Sequence, residues 1–274
     1  MNKSGQPNQS NKNGKYKIDK TVLITGASTG IGFALANRFV VEGHKVVITA
    51  NDVHRLAKAE EQLNQLSHNH VETIAQNLAC TEGAQALVDE LSRREITVDI
   101  LVNNAGFSVY GVFPEAGWAD TLAMLQLNML SLTQLTHLLL PAMIKRGSGR
   151  IMNLGSTGSF LPCPGLAAYC ATKAYVLSFS NSLAEELRGT GVTVTTVCPG
   201  PTQTHFAERS GMDQTRAFQG VVADAESVAD TAYLAMKGGR IYIVTGFLNK
   251  VMVFLGRFMP VCVANRIARW FTLS

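Results

Sequence analysis

Seven short apolar runs punctuate this chain, and longer segments of helical period separate them. The runs are Thr21–Thr25, Lys45–Thr49, Val71–Ala75, Asp99–Asn103, Arg150–Leu154, Val192–Cys198 and Ile241–Val244. Apolar and β-branched residues follow one another in them with little polar alternation, the pattern of strands covered on both faces. Ile31–Val41, Val53–Leu66, Glu82–Arg93, Ala168–Leu187 and Asp224–Met236 return apolar positions at helical spacing and predict helices. Strands and helices alternating in this way predict an α/β fold, a single doubly wound parallel sheet with helices on both faces. No internal repeat and no Pro/Gly-rich linker divides residues 20–245, which are expected to form one domain.

Thr121 to Ile144 runs for 24 residues without a formal charge, long enough to cross a bilayer. It also carries Gln126, Asn128, Ser131, Thr133, Gln134, Thr136 and His137, groups that are costly in hydrocarbon but can be paired inside a protein. The stretch is therefore expected to be a core helix with apolar surface left over for a subunit interface in a homo-oligomer.

At 274 residues and 46% hydrophobic, the chain can bury one large core, and disorder is excluded for most of it. The net charge is +4, but five lysines stand in residues 1–20 and four basic residues without an acid follow Gly246, so the body between is acidic. A nucleic-acid platform would carry its positive charge on the folded body, so none is expected. Five widely spaced cysteines without a C-x-x-C pair predict reduced thiols in a cytoplasmic protein and no metal centre. Residues 1–19, rich in Asn, Lys, Ser and Gly, read as a disordered polar tail without a signal-peptide core.

Candidate chemistry begins where the first strand meets the first helix, at Thr25-Gly26-Ala27-Ser28-Thr29-Gly30-Ile31-Gly32. Small residues there allow a tight turn and a close approach to a pyrophosphate, and the helix end offers N–H groups and a positive dipole to that anion. Tyr169 and Lys173 are four apart on a predicted helix, hence neighbours on one face. A phenol has a reference pKa of about 10, and an adjacent ammonium favours its ionised form. Cys170, directly after the tyrosine, reads as a packing residue or as a reactive thiol.

With these motifs in order, the sequence resembles the classical short-chain dehydrogenase/reductase family. The T-G-x-x-x-G-I-G pattern is residues 25–32, N-N-A-G is Asn103 to Gly106, Y-x-x-x-K is Tyr169 to Lys173, and Ser156 precedes the tyrosine by 13 residues. Asn128 falls in the long middle helix where the family carries an asparagine, and Pro199-Gly200 follows the sixth strand. The resemblance covers roughly residues 20–245. It implies a Rossmann-type fold and an NAD(P)-dependent oxidoreductase interconverting an alcohol and a ketone or aldehyde. Tyr169 would be the acid/base, Ser156 the donor to the substrate oxygen, Lys173 the ribose ligand that lowers the tyrosine pKa, and Asn128 the support of a proton relay. The implied cofactor contacts are Gly26, Ser28, Thr29, Gly30, Ile31, Gly32, Asn51, Asn77, Leu78, Asn103, Ala105, Gly106, Tyr169, Lys173, Pro199, Gly200, Thr202 and Thr204.

Some positions depart from the family. An acid at the position of Ala50 selects NAD there, and an Arg at that of Asn51 selects NADP; this chain has neither. Ala50 removes the repulsion of a 2′-phosphate, Asn51 offers it no charge, Asp52 opposes it, and Arg55 one turn later can compensate. The expectation is NADP(H) or NAD(H), leaning to NADP(H). Asn77 replaces an Asp, and its carbonyl can still accept from an adenine amino group. Phe107, Tyr110, Leu161, Pro162 and Cys163, with His205, Phe206 and Met212 in the lid region, predict a pocket for a lipophilic carbonyl or alcohol. Core packing is the alternative at each. Two rival functions are a dinucleotide-binding sensor without turnover and an extended-type epimerase or dehydratase, which shares Y-x-x-x-K but has a different glycine pattern and a longer chain.

Residues 246–274 lie beyond the last expected strand. Phe247, Val251, Phe254, Leu255 and Phe258 approximate one helical face, Pro260 starts or breaks a second segment, and Ile267, Trp270 and Phe271 continue the apolar side among Arg266 and Arg269. This basic amphipathic extension reads either as a peripheral membrane contact or as a cover over the substrate pocket or another subunit.

Overall fold

The computed structural model describes residues 20–66, 71–204, 211, 215–219 and 222–273. The tail 1–19 and three expected lid residues, His205, Phe206 and Met212, lie outside the described residues. Among the described residues seven strands are found: β1 (Thr21–Thr25), β2 (Lys45–Ala50), β3 (Glu72–Ala75), β4 (Ile100–Asn103), β5 (Gly149–Leu154), β6 (Val192–Cys198) and β7 (Tyr242–Val244). They form one parallel sheet in the order β3-β2-β1-β4-β5-β6-β7. Every predicted run is a strand, with ends moved by at most one residue.

The helices are α1 (Gly30–Val41), α2 (Val53–Asn64), α3 (Gly83–Arg93), α4 (Trp118–Leu125), α5 (Leu132–Arg146), α6 (Ala167–Glu186), α7 (Arg216–Gln219), α8 (Ala225–Lys237), α9 (Phe247–Gly256) and α10 (Val261–Thr272). Period-two alternation along the strands divides the core. Val22, Ile24, Ile48 and Val102 pack with Leu35 and Phe39 of α1, Leu63 of α2 and Tyr233 of α8. Leu23, Val47, Leu101 and Ile151 pack with Leu87 of α3, Leu135 and Met143 of α5 and Leu183 of α6. Full burial of each large aliphatic side chain contributes about 1.5–3 kcal/mol.

The uncharged stretch is continuous from α4 to α5 through one π-helical turn, Gln126–Ser131. Gln126, Asn128, Ser131, Thr133 and Thr136 find partners inside the protein, while His137 is exposed to solvent. Ser131 Oγ donates to the Leu78 carbonyl, Thr136 Oγ1 to the Leu132 carbonyl at 2.8 Å, and the Thr133 and Tyr175 hydroxyls are 2.9 Å apart. Its outer side leaves Leu122, Leu130 and Ile144 exposed.

Beyond β7, α9 buries Val253 with Cys198 and Val244. The end of α10 returns to the strand termini. Thr272 Oγ1 donates to the Pro164 carbonyl at 2.6 Å, and the Tyr110 hydroxyl donates to the Thr272 carbonyl.

Candidate active site

β1 and β4 are neighbours although two strands separate them in sequence, so the connections leaving them diverge and open a crevice at the strand C-termini. A cleft of about 820 Å³ lies there. Gly26, Ser28, Thr29, Gly30, Ile31 and Gly32 form one wall. Gly26 and Gly30 have φ of +64° and +59°, a region that side-chain-bearing residues rarely adopt. At Gly32 a Cβ would stand 2.4 Å from the Gly26 carbonyl oxygen, so the turn closes only around glycine. Thr29 is the N-cap of α1 yet makes no side-chain cap, and no acid stands in the first turn. The helix end therefore keeps N–H groups and its positive dipole for an anion, which fits a dinucleotide pyrophosphate.

Asn51, Asn77, Leu78, Ala105, Gly106, Pro199, Gly200, Thr202 and Thr204 also line the cleft. Asn103 does not. It is buried on the other side of β4, where its Nδ2 donates to Thr136 at 3.2 Å and to Asn153 at 2.9 Å. Strand periodicity explains this, because Asn103 shares the face of Leu101, toward α5. Asn104 takes the cleft position and donates to the Thr25 and Gly26 carbonyls at 2.8 and 3.0 Å, tying the glycine turn to β4.

At the outer corner Asp52 caps α2, accepting from the Arg55 backbone N–H at 3.0 Å, and its other oxygen lies 3.3 Å from Arg55 Nε. The Arg55 N–H and guanidinium hold the Asp52 carboxyl below the usual carboxylate range. Among the described residues, the positive side chain that lines this corner of the cleft, Arg55, is thus already beside an acid. Asn77 Oδ1 accepts from the Ala79 N–H at 2.9 Å, which engages one of the two lone pairs expected to serve adenine.

Ser156, Tyr169 and Lys173 converge on the cleft. Ser156 follows β5 and caps the short turn Thr157–Ser159, accepting from the Gly158 N–H at 3.1 Å. Ser159 Oγ accepts from the Ser156 N–H at 3.2 Å and donates to the Lys173 carbonyl at 2.8 Å, fixing the serine against α6. The Ser156 and Tyr169 side chains are hydrogen-bonded. Lys173 Nζ stands 5.8 Å from the Tyr169 ring centroid and donates to the Leu154 carbonyl at 2.8 Å.

The expected lowering of the Tyr169 pKa by Lys173 is not what this environment produces. Burial pushes the phenol up, and the bond with Ser156 offsets this only in part. Burial also brings the Lys173 ammonium down to about 8. A low-dielectric surround disfavours the charged form of each group. The Cys170 thiol is raised by its bond with Cys163 and by burial, so it stands protonated beside Tyr169 and acts in packing.

Asn128 does not line the cleft. It sits in the π turn behind Gly106, with Oδ1 accepting from the Phe107 N–H at 3.2 Å and Nδ2 donating to the Phe107 carbonyl at 3.0 Å and to Thr172 at 3.1 Å. Its amide therefore braces the β4 loop against α6, and a Cβ on Gly106 would lie 2.9 Å from its Oδ1.

On the substrate side the cleft meets Phe107, Leu127, Cys163, Leu166, Cys170 and Thr272. Tyr110 and Leu161 support the wall without lining it, through Thr272 and α9 respectively. Thr272 had no signal in the sequence as a cleft residue, because only the return of α10 brings it there.

A crevice with an anion-binding helix end on one side and buried proton-transfer groups on the other is the arrangement of dinucleotide-dependent oxidoreductases. Residues 20–215 match the short chain dehydrogenase family. A ketoacyl reductase, HetN, from Nostoc sp. is 32% identical over 262 residues, 92% of this chain and 89% of that protein. A short-chain dehydrogenase from Sphingobium yanoikuyae, solved with NADPH, superposes with a TM-score of 0.78 at 31% identity, covering 88% of this chain and 96% of that one. A second, from Burkholderia phymatum in complex with NAD, gives 0.80 at 25% identity over 88% and 94%. The chain belongs to the short-chain dehydrogenase/reductase family, and the relatives it resembles are named as reductases and dehydrogenases.

Proposed function

We propose that the protein transfers a hydride between a nicotinamide dinucleotide, with NADP(H) preferred, and a lipophilic ketone, aldehyde or secondary alcohol. The observation that carries this reading is the convergence of Ser156, Tyr169 and Lys173 on one cleft with the glycine turn. The nicotinamide ring, when bound, supplies or accepts the hydride. Burial keeps the Tyr169 hydroxyl protonated at neutral pH, the state from which it donates a proton to a carbonyl oxygen as hydride arrives at carbon. Ser156 donates a hydrogen bond to the same oxygen as its negative charge grows. Lys173 holds the ribose and, with its pKa near 8, replaces the proton that the tyrosine gives up. Phe107, Leu127 and Leu166 support an apolar substrate. Ala50 and the Arg55 guanidinium support NADP(H).

The exposed side of α4 and α5 supports assembly into a homo-oligomer. Five free cysteines support a reducing, cytoplasmic setting.

Tyr169→Phe tests the reading. Turnover of a panel of carbonyls, followed by cofactor absorbance, should fall about a thousandfold, with dinucleotide affinity unchanged. Undiminished turnover would remove Tyr169 from the mechanism, and wild-type protein that binds dinucleotide but turns over nothing would be a sensor.

A further inference from the structure

The outward surface of α9, α10 and their connection combines exposed apolar groups with exposed cations. Phe247, Leu248, Phe254, Leu255, Phe258 and Val261 are each more than half exposed, with Phe247 at 78% and Phe258 at 75%. The Phe254 and Phe258 rings lie 5.2 Å apart, edge to face, so the apolar groups form a patch rather than isolated contacts with water. Lys250, Arg257, Arg266 and Arg269 are exposed around it. No Asp or Glu occurs after Asp230 in the sequence, and among the described residues none of the four pairs with a carboxylate.

This charge pattern separates the two occupants that would cover such a patch. A second copy meeting it through a two-fold axis would set one positive rim against another. An anionic lipid surface satisfies both features at once, taking the aromatic side chains into the headgroup boundary and the cations onto phosphates. We propose that α9 and α10 dock the protein on an anionic bilayer surface. The same element supplies Thr272 to the cleft and seats Leu273 against Gly165, so docking holds the substrate end of the cleft beside the lipid. A substrate dissolved in the bilayer would then have a short path to Tyr169. That last step rests on the proposed function; the docking does not, and its readouts are independent of turnover.

The test is co-sedimentation of the full chain with phosphatidylcholine vesicles, with and without about one third phosphatidylglycerol, at low salt. Binding is expected only to the anionic vesicles and should be reversed by salt. The chain has two tryptophans, so Trp118→Phe leaves Trp270 as sole reporter, and its emission should move to shorter wavelength with anionic vesicles only. Phe247→Ser combined with Phe258→Ser should weaken binding about tenfold or more. Lys250→Gln and Arg266→Gln should each weaken it about fivefold. Dinucleotide binding by each variant confirms that it is folded. Wild-type protein that stays in the supernatant with phosphatidylglycerol vesicles, or a serine pair that binds them undiminished, overturns the proposal. It is equally overturned if the serine pair converts an oligomer to monomers on size exclusion while the wild type ignores vesicles, because the patch then joins two copies.

Discussion

At the dinucleotide end of the cleft the backbone makes the shape. Gly26 and Gly30 adopt positive φ, Gly32 has no space for a Cβ, and one eight-residue motif carries the whole turn. At the substrate end side chains from distant segments make it. Tyr110 meets Thr272 across 162 positions, and Phe107, Leu166 and Thr272 share one wall. The first end rests on β1, β2 and α1, which are largely buried; the second rests on α6 together with α9 and α10, and the last two bury little beyond Val253 and Thr272. A binding surface made of backbone suits a ligand with an invariant phosphate core. One made of loosely anchored side chains can be refitted to new substrates without disturbing the sheet.

Four substitutions probe that contrast. Gly32→Val should have the largest effect, because the new side chain meets the Gly26 carbonyl rather than a side chain that can move. Dinucleotide affinity is expected to fall about a hundredfold or more, or about 3 kcal/mol, in a fluorescence titration. Affinity within a few-fold of wild type would show that the turn relaxes. Next in size is a pair of core truncations. Leu35→Ala in α1, fully buried, should cost about 3 kcal/mol in denaturant unfolding, and Val253→Ala in α9 about 1–2 kcal/mol. Equal losses would make the extension as integral as the sheet and erase the distinction. The smallest effect is expected of Asn51→Arg, which adds a cation at the outer corner of the cleft. The ratio of kcat/KM for NADPH over NADH should rise about tenfold. An unchanged ratio would mean that Arg55 already reads the 2′ position or that it is read elsewhere.

The same contrast separates what was legible in the sequence from what was not. Strand runs, the glycine turn, and Tyr169 four residues before Lys173 are local patterns with a fixed period, and each stands where it was expected. Asn103 was misplaced by one residue, although counting twos along β4 from Leu101 puts it away from the cleft and Asn104 on it. The Tyr169 pKa went the other way, since spacing shows a neighbouring lysine but says nothing of how little water reaches the pair. Asn128 as a brace depends on a π turn that no spacing announces. The amphipathic end left two readings open. The end of α10 brings Thr272 to the cleft wall, while the outer faces of both helices remain exposed, so that contact does not use up the apolar surface.

The position of β1 has a consequence for the order in which the molecule is made. Its partners are β2 on one side and β4 on the other, and its first backbone N–H also reaches the Asp99 carboxylate 78 positions on. At about 5–20 residues per second, the ribosome takes several seconds to deliver that second neighbour. Through that interval the strand destined for the middle of the sheet has an unpaired edge, which is when intermolecular pairing is most hazardous. α9 and α10, with their exposed apolar faces, emerge after β7. All seven strands have therefore left the exit tunnel before the exposed apolar face of α9 and α10 follows them.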